Sequence, residues 1–78
     1  MRLNLKEYAK KRNEKKGQII RILKDNEKTW LLTSEIAAII GANHQYVLSI
    51  LYRLEEEKII ERKWYGAWVW RLIKDAKR

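Results

Sequence analysis

The chain lacks cysteine and proline altogether and holds one histidine in 78 residues. Without cysteine there is no disulfide and no thiolate metal site, and a lone His44 cannot assemble a zinc site or a histidine-based triad. Those absences set aside the secreted mini-proteins and most enzymes. The longest unbroken apolar run, Ile36-Ala37-Ala38-Ile39-Ile40, falls far short of the ~20 residues that span a bilayer. The mixed charges at the start of the sequence are unlike the apolar core of a signal peptide. Disorder is excluded from the other side, because 46% apolar residues with four Trp and ten Ile bury enough surface to offset chain entropy. A chain of this length forms one domain around one small core, burying only ~60% of what its unfolded form exposes. The expectation is a small intracellular globular domain, placed in the cytoplasm near the nucleoid.

What is abundant is positive charge, with 18 Lys and Arg against 10 Asp and Glu and a net of +8. The excess is concentrated at the ends. Residues 1–16 and residues 58–78 each carry +5, while residues 17–57 carry −2. Two basic ends around a slightly acidic body favour a polyanionic partner, since Lys and Arg that neutralise phosphates release counterions. The blander account is a solvated surface that keeps a small domain soluble.

Leu5, Tyr8 and Ala9 have helical spacing, so a helix begins near Asn4 and continues into the polar stretch Lys10–Lys16. Residues 1–16 are read as a basic helix or arm, either continuous with the next helix or separate from it. Residues 17–27 form an amphipathic helix with Ile19, Ile20, Ile22 and Leu23 as its stripe. Thr29-Trp30-Leu31-Leu32 is a short β-prone run. Thr33 and Ser34 look like an N-cap, followed by Glu35 in the first turn, where a carboxylate suits the helix dipole. Ile36, Ala37, Ile39 and Ile40 make a second short helix, and Gly41 suits its stop.

Asn43 then caps a third helix on which Val47, Ile50, Leu51 and Leu54 share one face. Gln45, Ser49, Tyr52 and Glu56 lie opposite, with Leu48 and Arg53 at the flanks. That outer face is short, polar and uncharged until Glu55-Glu56-Glu57, whereas a helix needing only solubility carries Lys and Glu there. From Ile59 the period changes to that of strands: Ile59–Lys63, a turn over Trp64-Tyr65-Gly66-Ala67, and Trp68–Ile73. The tail, 74–78, is too polar to pack.

This order of elements is similar to the winged helix-turn-helix family of small prokaryotic or viral transcriptional regulators. The likeness covers residues 17–73. It rests on Glu35-Ile36-Ala37, the Gly41 turn and the passage Arg53-Leu54-Glu55-Glu56-Glu57-Lys58-Ile59-Ile60-Glu61-Arg62. The resemblance implies an α+β fold of three core helices, a short strand and a C-terminal β-hairpin wing, with residues 1–16 as a basic extension. It implies a regulator that reads double-stranded DNA with helix 43–57 in the major groove. Carried over by residue, Asn43, His44, Gln45, Tyr46, Ser49, Tyr52 and Arg53 face DNA. Gln45 suits adenine, and His44 or Arg53 suits guanine or phosphate. Thr33 and Ser34 open the second helix, whose free N–H groups hold a phosphate. Arg62 and Lys63 approach the minor groove or backbone from the wing.

The sequence departs from that family in several places. Lys58 stands where a glycine is usual, which predicts a strained exit from the third helix. The wing is short, with Trp64 and Tyr65 at its tip. Leu48 is expected on the exposed side, against a thymine methyl or a partner chain. Tyr52 is similar to a tyrosine of the Z-DNA-binding winged helices. Leu48, however, stands where those carry an asparagine, and without proline their wing motif is missing, so the chain is placed outside that subfamily. The tryptophans are expected in core and interface rather than as base-stacking platforms: Trp30 and Trp70 under the helices, Trp64 and Trp68 on a dimer surface. Glu55–Glu57 are expected to form an acidic end that keeps the helix C-terminus off phosphates. A homodimer through Leu3, Leu5 and Tyr8 or through the wing is expected, since dimers read palindromes with useful affinity. No paired carboxylates, glycine-rich loop or nucleophile–base set is recognisable, so no catalysis, cofactor, metal or small-molecule ligand is expected. The competing function is a winged-helix adaptor that binds proteins through its Trp-rich wing.

Overall fold

The computed structural model describes residues 5–73. Its elements run α1 (Leu5–Asp25), β1 (Leu31–Leu32), α2 (Thr33–Ile40), α3 (His44–Glu56), β2 (Ile60–Trp64) and β3 (Trp68–Leu72). The three strands form one antiparallel sheet in the order β1-β3-β2. Three helices on a three-stranded sheet make this a winged helix fold. The expected start near Asn4 and the tail, 74–78, lie outside the described residues.

Whether residues 4–26 form one helix or two is answered by α1, which is unbroken over its 21 residues. The polar stretch does not interrupt it because Lys, Arg and Glu are good helix formers. The proposed boundary at 16/17 therefore falls inside a helix. Only the second half is anchored, by the buried Ile19 and Leu23. Residues 5–11 are exposed throughout, because at ~1.5 Å per residue the helix outruns the sheet it packs on.

The core joins Ile19 and Leu23 to Ile36 and Ala37 of α2, the expected Val47-Ile50-Leu51-Leu54 face of α3, Ile60 of β2 and Trp70 of β3. Fully burying each large member contributes about 1.5–3 kcal/mol, so α3 is fixed mainly by four side chains on one face. Its opposite face is thereby held outward.

Two helices end by the same device with different residues. At α2, Gly41 has φ 67°, its N–H donates to the Ala38 carbonyl, and the Ala42 N–H donates to the Ala37 carbonyl. At α3, Lys58 has φ 63°, its N–H donates to the Glu55 carbonyl, and the Ile59 N–H donates to the Leu54 carbonyl. Both are Schellman stops, which require a left-handed residue. The expected strain at Lys58 is present, since a side chain there costs about 1–2 kcal/mol. The stop also takes Ile59 out of the strand, so β2 begins at Ile60.

The start of α2 differs from its expected form. Leu32 is the N-cap, and its N–H donates to Glu35 Oε1 at 2.8 Å. Thr33 is not a cap, because its side chain turns inward and its hydroxyl accepts a hydrogen bond from Trp70 Nε1 at 2.8 Å. The sheet register explains the tryptophans. Trp70 pairs with Leu31 and Arg62 on the inner face and is fully buried. Trp30 is not under the helices as expected. It lies on the sheet's outer side, with Arg71 Cζ 4.4 Å and Lys63 Nζ 4.8 Å from its ring centre.

Candidate nucleic-acid interface

The expected reading surface is the exposed face of α3. Asn43 caps the helix, its Oδ1 accepting from the N–H groups of Gln45 at 2.8 Å and Tyr46 at 3.2 Å. Its side-chain oxygen is therefore committed to the helix. His44, Gln45, Ser49 and Arg53 are exposed, and Tyr52 keeps 39% of its surface in solvent. Ser49 donates its hydroxyl proton to the Tyr46 carbonyl at 2.7 Å, leaving its oxygen free to accept. Tyr46 is half-buried against the core, and Arg12 of α1 lies 5.9 Å from its ring centre.

Several expected positions are corrected. Leu48 is half-buried and packed against the core, because the wide apolar stripe of α3 extends to its flank; it is not an exposed contact. Thr33 is 6% exposed with its hydroxyl engaged by Trp70, so that hydroxyl is not offered to a phosphate, and the expectation there rests on the backbone N–H groups alone. Ser34 beside it is exposed. The phosphate cradle expected at the start of α2 is partly filled by the Glu35 carboxylate on the Leu32 N–H.

Arg62 is not a free cation on the wing. Its Nε donates to Glu55 Oε2 at 3.0 Å, and its Cζ lies 4.1 Å from the Trp68 ring centre and 5.3 Å from that of Tyr52. Tyr52 in turn meets Trp70 edge-on, with ring centres 5.9 Å apart at 66°. The guanidinium is thus fixed between β3 and α3. Lys63, one residue on, points to the other side of the sheet and over Trp30, because strand side chains alternate.

The acidic end expected from Glu55–Glu57 is offset in place. Glu55 pairs with Arg62, Glu57 with Lys16 of α1 at 3.2 Å, and Glu56 with Arg53 at a loose 3.9 Å. Such partly exposed pairs contribute little stability, about 0–1 kcal/mol each. Their effect is on the surface potential, since they remove the repulsion that bare carboxylates would present to phosphates. Sequence reasoning missed the roles of Lys16, Arg12 and Trp68 because it left open whether the basic segment stands apart. The continuity of α1 brings Arg12 to the start of α3 and Lys16 to its end. Trp68 had one signal in the sequence, the alternation that places it on the same face as Trp70.

Among the described residues no cluster of three or more His, Cys, Asp or Glu could hold a metal ion, and no helix is long and apolar enough to cross a membrane. No family model matches the chain, and no curated protein does. Among solved structures the chain is similar to the Zalpha domain of Carassius auratus PKZ, determined in complex with Z-DNA. The TM-score is 0.73 at 24% identity, over 80% of this chain and 97% of that one. That likeness is one of fold: the chain is a winged helix domain. The matched domain is a Z-DNA-binding winged helix, the group outside which the sequence was expected to fall, and this likeness gives that expected exclusion no support.

Proposed function

We propose that the chain is a DNA-binding transcriptional regulator that places α3 in the major groove of double-stranded DNA, with the short wing on the backbone. The observation that carries this reading is the exposed face of α3. Four core side chains hold it outward, it bears the base-sized Gln45, Ser49, Tyr52 and Arg53, and its terminal carboxylates are matched by Lys16 and Arg62. Base edges are read by such side chains, while Lys and Arg supply the grip. The Carassius auratus domain of the same fold was solved on DNA, which supports a nucleic-acid partner. The reading includes a homodimer through the first turns of α1, where Leu5 and Tyr8 are 85% and 49% exposed.

A salt titration with duplex DNA tests it. With ~5–7 phosphates neutralised, log K falls with a slope near −0.9 per contact. Gln45→Ala with Ser49→Ala lowers specific binding by about 1–3 kcal/mol per lost base contact and leaves non-specific binding nearly intact. Equal losses on both kinds of DNA would show that these side chains do not read bases. No binding of micromolar duplex at low salt would leave the protein-adaptor function in its place. A second reading, binding to left-handed duplex, is favoured by the Z-DNA of the solved neighbour and by Tyr52 held against Trp70. Circular dichroism of an alternating dC–dG duplex separates the two, because only that second reading predicts an inverted spectrum on adding protein.

A further inference from the structure

Resting on the reading that the chain binds DNA, we propose that its wing carries a stacking surface for unpaired nucleobases, formed by Trp64 and Tyr65 beside the Arg62–Trp68 pair. The four tryptophans are not equivalent in the fold. Trp70 is core, Trp30 is covered by Arg71 and Lys63, and Trp68 is half-buried under Arg62. Trp64 keeps 62% and Tyr65 80% of its surface in solvent. Neither belongs to the core.

The rings are set in a fixed frame. Trp64 and Trp68 face each other across the mouth of the hairpin, with ring centres 5.1 Å apart at 76°. The tip is a three-residue loop closed by the Tyr65 N–H donating to the Ala67 carbonyl at 2.9 Å. Behind it Arg62 is locked by Glu55 and lies between Trp68 and Tyr52. A surface already ordered loses little entropy when it binds.

Charge complementarity selects the occupant. Trp68 carries Arg62 over its face, and residues 58–73 hold four basic side chains (Lys58, Arg62, Lys63, Arg71) against Glu61 alone. An apolar protein surface docking here would desolvate the Arg62–Glu55 pair, whose side chains keep 30% and 32% of their surface in solvent, without replacing its water contacts. A nucleotide matches both parts, with a flat base for the Trp64 and Tyr65 rings and a phosphate for the Arg62 guanidinium, which is paired with Glu55 but keeps 30% of its side chain in solvent. Continuous duplex buries its base faces in its own stack, so the ligand is duplex interrupted by unpaired bases.

The test uses the full chain and three fluorescently labelled probes: a continuous duplex, the same duplex with a central three-nucleotide bulge, and the single strand. Stacking of one base is worth ~5- to 150-fold in affinity. The bulged duplex is therefore expected to bind at least ~5-fold tighter than the continuous one, with quenching of tryptophan emission. Trp64→Ala with Tyr65→Ala is expected to bring the ratio of bulged to continuous affinity to about one, whatever the loss of wing contacts does to the continuous-duplex affinity itself. Trp64→Phe, which keeps a ring, retains most of the preference. Equal affinity for bulged and continuous duplex, or a preference that survives the double substitution, overturns this inference and leaves duplex binding standing. Failure to bind any of the three probes overturns both.

Discussion

The bond between Trp70 Nε1 and Thr33 Oγ1 joins the centre of the sheet to the start of α2 at 2.8 Å, in a site where Thr33 is 6% exposed and Trp70 is fully buried. Thr33→Val keeps the shape and removes only the acceptor, so the indole N–H is left buried without a partner. Such an orphan costs about 1–3 kcal/mol. In a domain of this size each kcal/mol moves Tm by about 4–8 °C, so the variant melts ~4–24 °C below the parent. Urea unfolding followed by tryptophan fluorescence measures the free energy directly. A double-mutant cycle with Trp70→Phe isolates the pair, because the second loss is smaller once the hydrogen bond is gone. The same variant separates two roles for Thr33. If the hydroxyl is engaged inside, duplex affinity is unchanged at a temperature where both proteins are folded. A stability within about 0.5 kcal/mol of the parent, accompanied by weaker DNA binding, would refute the reasoning and return Thr33 to the phosphate.

Gly17 lies exposed inside α1 with nothing within 4 Å of an added Cβ; Gly17→Ala should stabilise by about 0.5–1 kcal/mol, read as a rise in the urea midpoint. Lys58→Gly relieves about 1–2 kcal/mol of left-handed strain and returns about 0.5–1 kcal/mol as unfolded-chain entropy. A net gain is expected there, and Lys58→Ala should show none. If the first turns of α1 pair two copies, sedimentation at micromolar concentration gives about twice the 9.5 kDa chain mass, and Leu5→Lys with Tyr8→Lys returns it to the monomer. A parent that sediments as a monomer would remove the homodimer from the proposal.

Much of the fold was legible because local chemistry and global packing agree. Val47, Ile50, Leu51 and Leu54 repeat at helical spacing and are the buried face of α3. Gly41 stops α2 in the left-handed conformation that only a residue without Cβ adopts freely. Asn43 caps the helix it precedes. Lys58 departs from the glycine pattern and takes the strained conformation predicted for it. The misread residues share another character, in that their environment comes from segments far away in sequence. Thr33 has the chemistry of a cap, but Trp70, 37 positions later, takes its hydroxyl. Leu48 sits at the edge of an apolar stripe, and periodicity alone cannot set how wide the core beneath that edge is. Trp30 reads as core until β3 and β2 bring Arg71 and Lys63 over it.

The same division holds for the interface. The sequence by itself determined that one small domain would carry basic ends and a polar helix face, because composition and a 3.6-residue period are local properties of the chain. Only the tertiary structure decided which charges are available to a ligand. Arg62 and Lys63 are neighbours in sequence, yet one is locked between Glu55, Trp68 and Tyr52, and the other lies over Trp30. Glu57 is acidic in isolation but faces Lys16 across 41 positions of chain. The physical reason is the short range of ion pairs and ring contacts, which act over a few ångströms once folding has placed distant segments side by side.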